Sequence, residues 1–185
     1  AAAAKRRKWD GAEEVRIEVI RTGTIPRWSY ELATERYWQL SGPDQITADW
    51  SELGWYELTV TAEHLSLMAA SWDRLQAEHP GHTIAAYIGH RHDGSTVAAG
   101  WVSALEVDGD ALYAWTKWSA RGAQVIAEDL YRYTSCEWSY LDAQGDVLNP
   151  WELDETPPTS VEWSTYALCN DPAFRGMDRL AAHRL

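Results

Sequence analysis

Val97-Ala98-Ala99-Gly100-Trp101-Val102-Ser103-Ala104-Leu105-Glu106-Val107-Asp108-Gly109-Asp110-Ala111-Leu112-Tyr113-Ala114-Trp115-Thr116-Lys117-Trp118 is the stretch whose reading decides the fold class. Asp-Gly between two apolar, aromatic runs predicts an antiparallel hairpin turning over 108–110. On its N-terminal side, 83–88 reads as a strongly apolar strand that runs into Gly89-His90-Arg91-His92-Asp93-Gly94. On its C-terminal side, Ser119-Ala120-Arg121-Gly122 opens a short helix to about Glu128. Residues 130–138 then return as a strand carrying Ser135-Cys136. A strand ending in histidines and a strand bearing a Ser-Cys pair thus flank the hairpin. That layout can bring a base and a nucleophile together from neighbouring strands.

Outside this block the signals are plainer. Residues 15–20 largely alternate apolar and polar, as a half-buried strand does. Pro26 disfavours a simple continuation of that strand. Residues 27–53 are polar and aromatic with weak periodicity, and read as an excursion of loops and short elements. A strand is predicted over 55–60. Thr61 has the chemistry of a helix N-cap, and Leu65, Met68, Ala69, Trp72 and Leu75 then fall on one helical face. Pro80-Gly81 stops that helix. Residues 140–159 are loop-like, and a last strand over 160–168 ends at Asn170-Asp171-Pro172. The expectation is an α+β domain, mostly antiparallel, with a few helices packed on the strands. It would occupy 13–178, between a flexible basic N-terminus over 1–12 and a tail over 179–185.

A chain of 185 residues is long enough for one full core. Its 12 Trp and nine Tyr, beside a single Phe, are polar-tipped aromatics suited to half-buried positions and interfaces. A net charge of −12 and a pI near 4.8 argue against general nucleic-acid binding. The exception is Lys5-Arg6-Arg7-Lys8, a basic run that has an acidic body to pair with. Cys136 and Cys169 have neither metal-ligand spacing nor a disulfide framework. No apolar region follows the basic run, as a signal peptide requires, and no apolar stretch approaches about 18 residues. A soluble, cytoplasmic protein without cofactor is therefore expected. His82, His90 and His92 near Asp93 match no standard zinc pattern, so no metal is expected either.

A serine is a weak nucleophile until an adjacent base, usually a histidine held by a third group, takes its proton. Ser135 is the candidate nucleophile, and His90 and His92 are the candidate bases. Cys136 is the alternative nucleophile, since a thiolate attacks better than a hydroxyl. Alternation along a regular strand puts Cys136 and Ser135 on opposite faces. Glu162, Asp154 and Glu155 are possible orienting acids among which nothing local chooses; Glu162 is carried as the possible third member.

Four motifs now stand in order: Tyr87-Ile88-Gly89-His90, Ala98-Ala99-Gly100-Trp101-Val102, Tyr131-Arg132-Tyr133-Thr134-Ser135-Cys136-Glu137-Trp138 and Ala167-Leu168-Cys169-Asn170-Asp171-Pro172. With Phe174-Arg175-Gly176-Met177 they resemble the Mu-like phage head maturation proteases, the phage I-protein family, over about residues 12–178. The resemblance implies a herpesvirus-assemblin-like β-barrel serine protease, with Ser135 as nucleophile and His90 as general base. It implies action inside the assembling phage head in the host cytoplasm, on scaffold and capsid-protein segments and on the protease itself. The major capsid protein and the scaffold protein are then the partners, the enzyme is a homo-oligomer, and neither membrane nor nucleic acid is involved. The backbone near Arg132 to Thr134 is a candidate source of oxyanion donors. The family's acids before the histidine are replaced here by Tyr87 and Gly89, its proline after the serine by Cys136, and its threonine by Cys169. Those departures leave an alternative: a catalytically degenerate structural or scaffold protein of a phage or phage-like particle.

Overall fold

The computed structural model describes residues 5–9, 12–40, 50–89 and 97–170, together with Phe174, Met177 and Leu180. The chain runs β1 (Arg6–Trp9), β2 (Ala12–Arg21), β3 (Gly23–Trp28), α1 (Tyr30–Leu40), α2 (Trp50–Leu53), β4 (Trp55–Val60), α3 (Ala62–Glu78) and β5 (Ile84–Ile88). It continues through β6 (Ala98–Asp108), β7 (Ala111–Trp118), α4 (Ala120–Ala127), β8 (Tyr133–Leu141), β9 (Val147–Leu148) and β10 (Ser160–Cys169). Eight strands form one sheet in the order β1-β2-β7-β6-β5-β10-β8-β9, and β3 pairs with β4 in a second. Every ladder is antiparallel except the one between β5 and β10. The predicted hairpin is β6–β7, with Gly109 at φ 62 in its turn, where a side chain would be strained. No described helix is long and apolar enough to cross a membrane.

Register shifts in the β2–β7, β6–β7, β5–β6 and β8–β10 ladders bend the sheet, as bulges do. The bend carries β8 round to β2, where Thr134 Oγ1 donates to the Glu18 carbonyl at 2.7 Å. The ring stops there. No ladder joins β8 to β2 among the described residues, so no closed barrel of the kind expected from the resemblance is found among them. Phe174 and Met177 are both buried, and with Val19 and Ile20 they line the gap beside Thr134 and Ser135.

The inner face collects alternate residues, as pleating requires: Val15, Ile17 and Val19 from β2, with Leu112 and Ala114 from β7, lie in the core. Leu65, Met68 and Trp72 of α3 close over it, and Trp72 meets Trp163 edge-on at 6.0 Å. Tyr166 is fully buried on β10, and its hydroxyl shares a 2.8 Å hydrogen bond with Thr116 Oγ1 on β7. Burial alone pushes the Tyr166 phenol well above its ordinary range. Tyr166→Phe should cost about 1–2 kcal/mol, because it strands the Thr116 hydroxyl in the core. A urea titration would show that as a lower midpoint with unchanged slope.

The outer face of β2 carries Glu14, Arg16 and Glu18, all buried. Here the basic run finds its place. It forms β1 rather than a loose terminus, with Arg7 bonded to Glu14 at 2.8 Å and to Ser103 Oγ at 2.9 Å. Arg16 spans Glu106 and Asp108 at 2.9 and 2.8 Å, over the Tyr113 ring. The expected pairing of the basic run with the acidic body is thus local and specific.

Two elements depart from the sequence expectation. Pro26 lies inside β3, which is tolerated because a two-stranded ribbon has a free edge for a residue without N–H. The excursion also contains an eleven-residue helix, α1. Its periodicity is weak because only Leu32 and Ala33 are buried. Its start is specified locally: Ser29 Oγ accepts from the Leu32 N–H and donates to Glu31.

Helix α3 begins with a capping box made by an unusual partner. Thr61 Oγ1 accepts from the His64 N–H at 3.2 Å, and His64 Nδ1 accepts from the Thr61 N–H at 3.4 Å. Only a neutral imidazole can accept there, and burial lowers the His64 pKa below 6.5. The folded state therefore binds this proton less well than the unfolded chain, so the contribution is present above pH 6.5 and is lost as pH falls through the folded value. Acidification should lower the melting temperature, and His64→Gln, which keeps the box without a titrating group, should flatten that part of the pH profile.

Candidate functional site

Ser135 lies on β8 opposite Ala167 of β10, which in turn lies opposite Tyr87 of β5. Two strand spacings separate Ser135 from Tyr87, about 10 Å between Cα atoms. Beyond Tyr87, Ile88 N–H donates to the Val97 carbonyl at 3.0 Å and Gly89 N–H to the Leu168 carbonyl at 3.2 Å. His90, His92 and Asp93 follow, and lie outside the described residues. His82, the third histidine of the possible metal group, is exposed in the turn after α3.

Ser135 is only 8% exposed. It faces the gap between β2 and β8, with Val19, Ile20, Phe174 and Met177 across from it. Its neighbour Cys136 belongs to the core, where Sγ accepts from Trp163 Nε1 at 2.8 Å. Burial raises the Cys136 thiol far above its ordinary range. Nucleophilic attack needs the thiolate, which this environment suppresses.

Glu162 is exposed and pairs with Ser139, five residues along β10 from the partner of Ser135. That is roughly 16 Å along the sheet, too far to orient a base serving Ser135. Glu155 is exposed in the loop before β10, and Asp154 lines a cleft near His64. Neither borders the serine gap. The candidate oxyanion segment is partly committed too: Arg132 N–H donates to the Cys169 carbonyl at 3.2 Å, and its carbonyl accepts from Leu180 N–H at 2.7 Å.

What the sequence did not expose is the edge of β8. On its outer side, among the described residues, β8 has a ladder only through Tyr140 and Leu141, with β9. A cleft of about 670 Å³ runs beside it, lined by Cys136, Glu137, Trp138, Ser139 and Tyr140 in succession. Successive residues of a strand point to opposite faces, so a cavity touching five in a row looks onto the strand's edge. Its far wall is Arg27, Trp28 and Tyr56. It adjoins a second cleft of about 540 Å³ through Tyr56, Pro150 and Trp151. The sequence cue was the concentration of Trp and Tyr on both walls, which only tertiary structure assembles.

A mixed, mostly antiparallel sheet sets a buried serine on β8 in register, across β10, with Tyr87 of β5, and a cleft runs along the edge of β8. Residues 78–181 match the family model described as Mu-like prophage I protein, N-terminal domain, and the chain belongs to that family. The match takes in β5 to β10 and leaves β1 to β4 outside it. No curated protein and no solved structure matches the chain.

Proposed function

We propose that this phage-associated protein is a serine endopeptidase of head maturation. It would cleave scaffold and capsid-protein segments, and itself, inside the assembling head. Ser135 Oγ attacks the peptide carbonyl while His90 takes the hydroxyl proton. His90 then returns that proton to the departing amine, leaving an acyl-serine that water hydrolyses. The observation that carries this reading is the row Ser135–Ala167–Tyr87, in which the single strand β10 lies between the serine and the strand that precedes His90. The open edge of β8 adds a place for an extended substrate, since an unpaired strand edge offers backbone hydrogen bonds to one more strand.

One observation favours a second reading, a non-catalytic structural role within a phage particle. Phe174 and Met177 pack at the serine gap, so a substrate carbonyl reaches Oγ only if they shift. Co-expression with the neighbouring capsid and scaffold proteins, read by intact mass for the native chain and Ser135→Ala, separates the two. Products that require Ser135 support the peptidase; their absence from both chains supports the structural role.

A further inference from the structure

The joined clefts beside β8 carry more information than an open edge. Their floor is aromatic: Tyr140, 2% exposed, packs edge-on against Trp138 with ring centroids 6.2 Å apart, and Trp151 meets Tyr56 in the same way at 5.5 Å. Around them stand the carboxylates of Glu31, Glu57, Glu63, Glu137 and Asp154, against the guanidinium groups of Arg27 and Arg36. Arg36 is further drawn back by the Leu53 and Trp55 carbonyls, at 2.9 and 3.0 Å. Trp28, Tyr56, Trp138 and Trp151 supply ring surface, which holds both the stems of Lys and Arg and their charged heads.

We propose that these clefts form a docking channel for an extended, basic peptide segment that adds to the free edge of β8. Its role as the substrate channel for Ser135 rests on the peptidase reading above. Charge decides against the rival occupants. An acidic or phosphorylated segment meets the carboxylates, and a second copy of this chain brings another −12 and is repelled. One wall belongs to β3, α1 and β4, outside the segment matched to the family, so this preference is a property of the present chain.

The test uses the full-length Ser135→Ala chain, which binds without cleaving, and fluorescence anisotropy of three dye-labelled twelve-residue peptides: (Lys-Ala)6, (Ser-Ala)6 and (Glu-Ala)6. (Lys-Ala)6 should bind at least about tenfold more tightly than (Ser-Ala)6 at low salt, with the advantage shrinking as salt screens the charges. (Glu-Ala)6 should show no binding. Adding Glu57→Gln and Glu137→Gln should weaken (Lys-Ala)6 by about tenfold, and Trp151→Phe, which trims the ring surface shared by the two clefts, by a smaller factor. Glu78→Gln with Glu128→Gln removes the same charge from exposed sites outside the clefts, and should leave binding unchanged. Equal weakening by both carboxylate pairs would reduce the effect to general attraction by an acidic body and overturn the proposal. Equal affinity for the lysine and serine peptides would overturn it too, as would a dimer that blocks the clefts and binds none of the three. Binding by Ser135→Ala from a native chain that never cleaves supports the channel while refuting the peptidase.

Discussion

Ser135→Ala, co-expressed with the capsid and scaffold proteins, is expected to leave every cleavage product absent while the chain folds normally. Loss of a serine nucleophile lowers turnover by about 10⁴–10⁶-fold in enzymes of this type, far below what an intact-mass measurement registers. Folding should survive because the substitution only removes a hydroxyl from a side chain that faces the apolar Val19, Ile20, Phe174 and Met177. Cys136→Ala provides the contrast. Products should persist, and stability should fall by about 1–3 kcal/mol, because Trp163 Nε1 loses its acceptor in a dry interior. Cleavage lost only with Cys136→Ala would reverse the assignment and make the thiol the nucleophile.

The second large effect is on stability, and its sign opposes simple propensity. Gly122 lies within α4, where alanine is normally better than glycine by about 1 kcal/mol. A Cβ at Gly122 would stand 1.9 Å from the Ala99 carbonyl oxygen and 2.7 Å from its carbon. These are backbone atoms of β6 and cannot rotate aside. Gly122→Ala should therefore destabilise by about 3 kcal/mol, at the upper end of ordinary overpacking. Arg121→Ala, one residue earlier and exposed, should be close to neutral; equal effects from the two in a thermal melt would refute the steric argument. The contact also bears on the site. Ser119 caps α4 through Gly122 N–H and donates to the Ala98 and Ala99 carbonyls, at the start of the strand whose neighbour leads to His90. Cleavage should decline along with stability.

Much of the fold was legible because its signals are local. Asp-Gly at 108–109, alternation over 15–20, the Thr61 cap and the apolar face of α3 each depend on residues a few positions apart. The same holds for the motifs that pointed to the phage I-protein family, and for Ser135 as the residue to test. Helix α1 escaped notice because a helix that buries two residues leaves little periodicity. Glu162 was a reasonable candidate only while the register of β10 was unknown. Ser135 and Cys136 are equally buried, each 8% exposed; what distinguishes their surroundings is the Trp163 Nε1–H bond to Cys136 Sγ, a contact that only packing arranges.

By itself the sequence determined the strands from β4 to β8 and β10, helices α3 and α4, the acidic character of the body, and the family. Whether the sheet closes, what covers the serine, and where a peptide can lie were decided by tertiary structure alone. The physical reason is range. Propensity, capping and turn chemistry act over a few bonds, whereas the gap filled by Phe174 and Met177 brings residues about 150 positions apart to Val19 and Ile20. The cleft beside β8 likewise joins Trp28 to Trp138, a meeting that only the curvature of the whole sheet arranges.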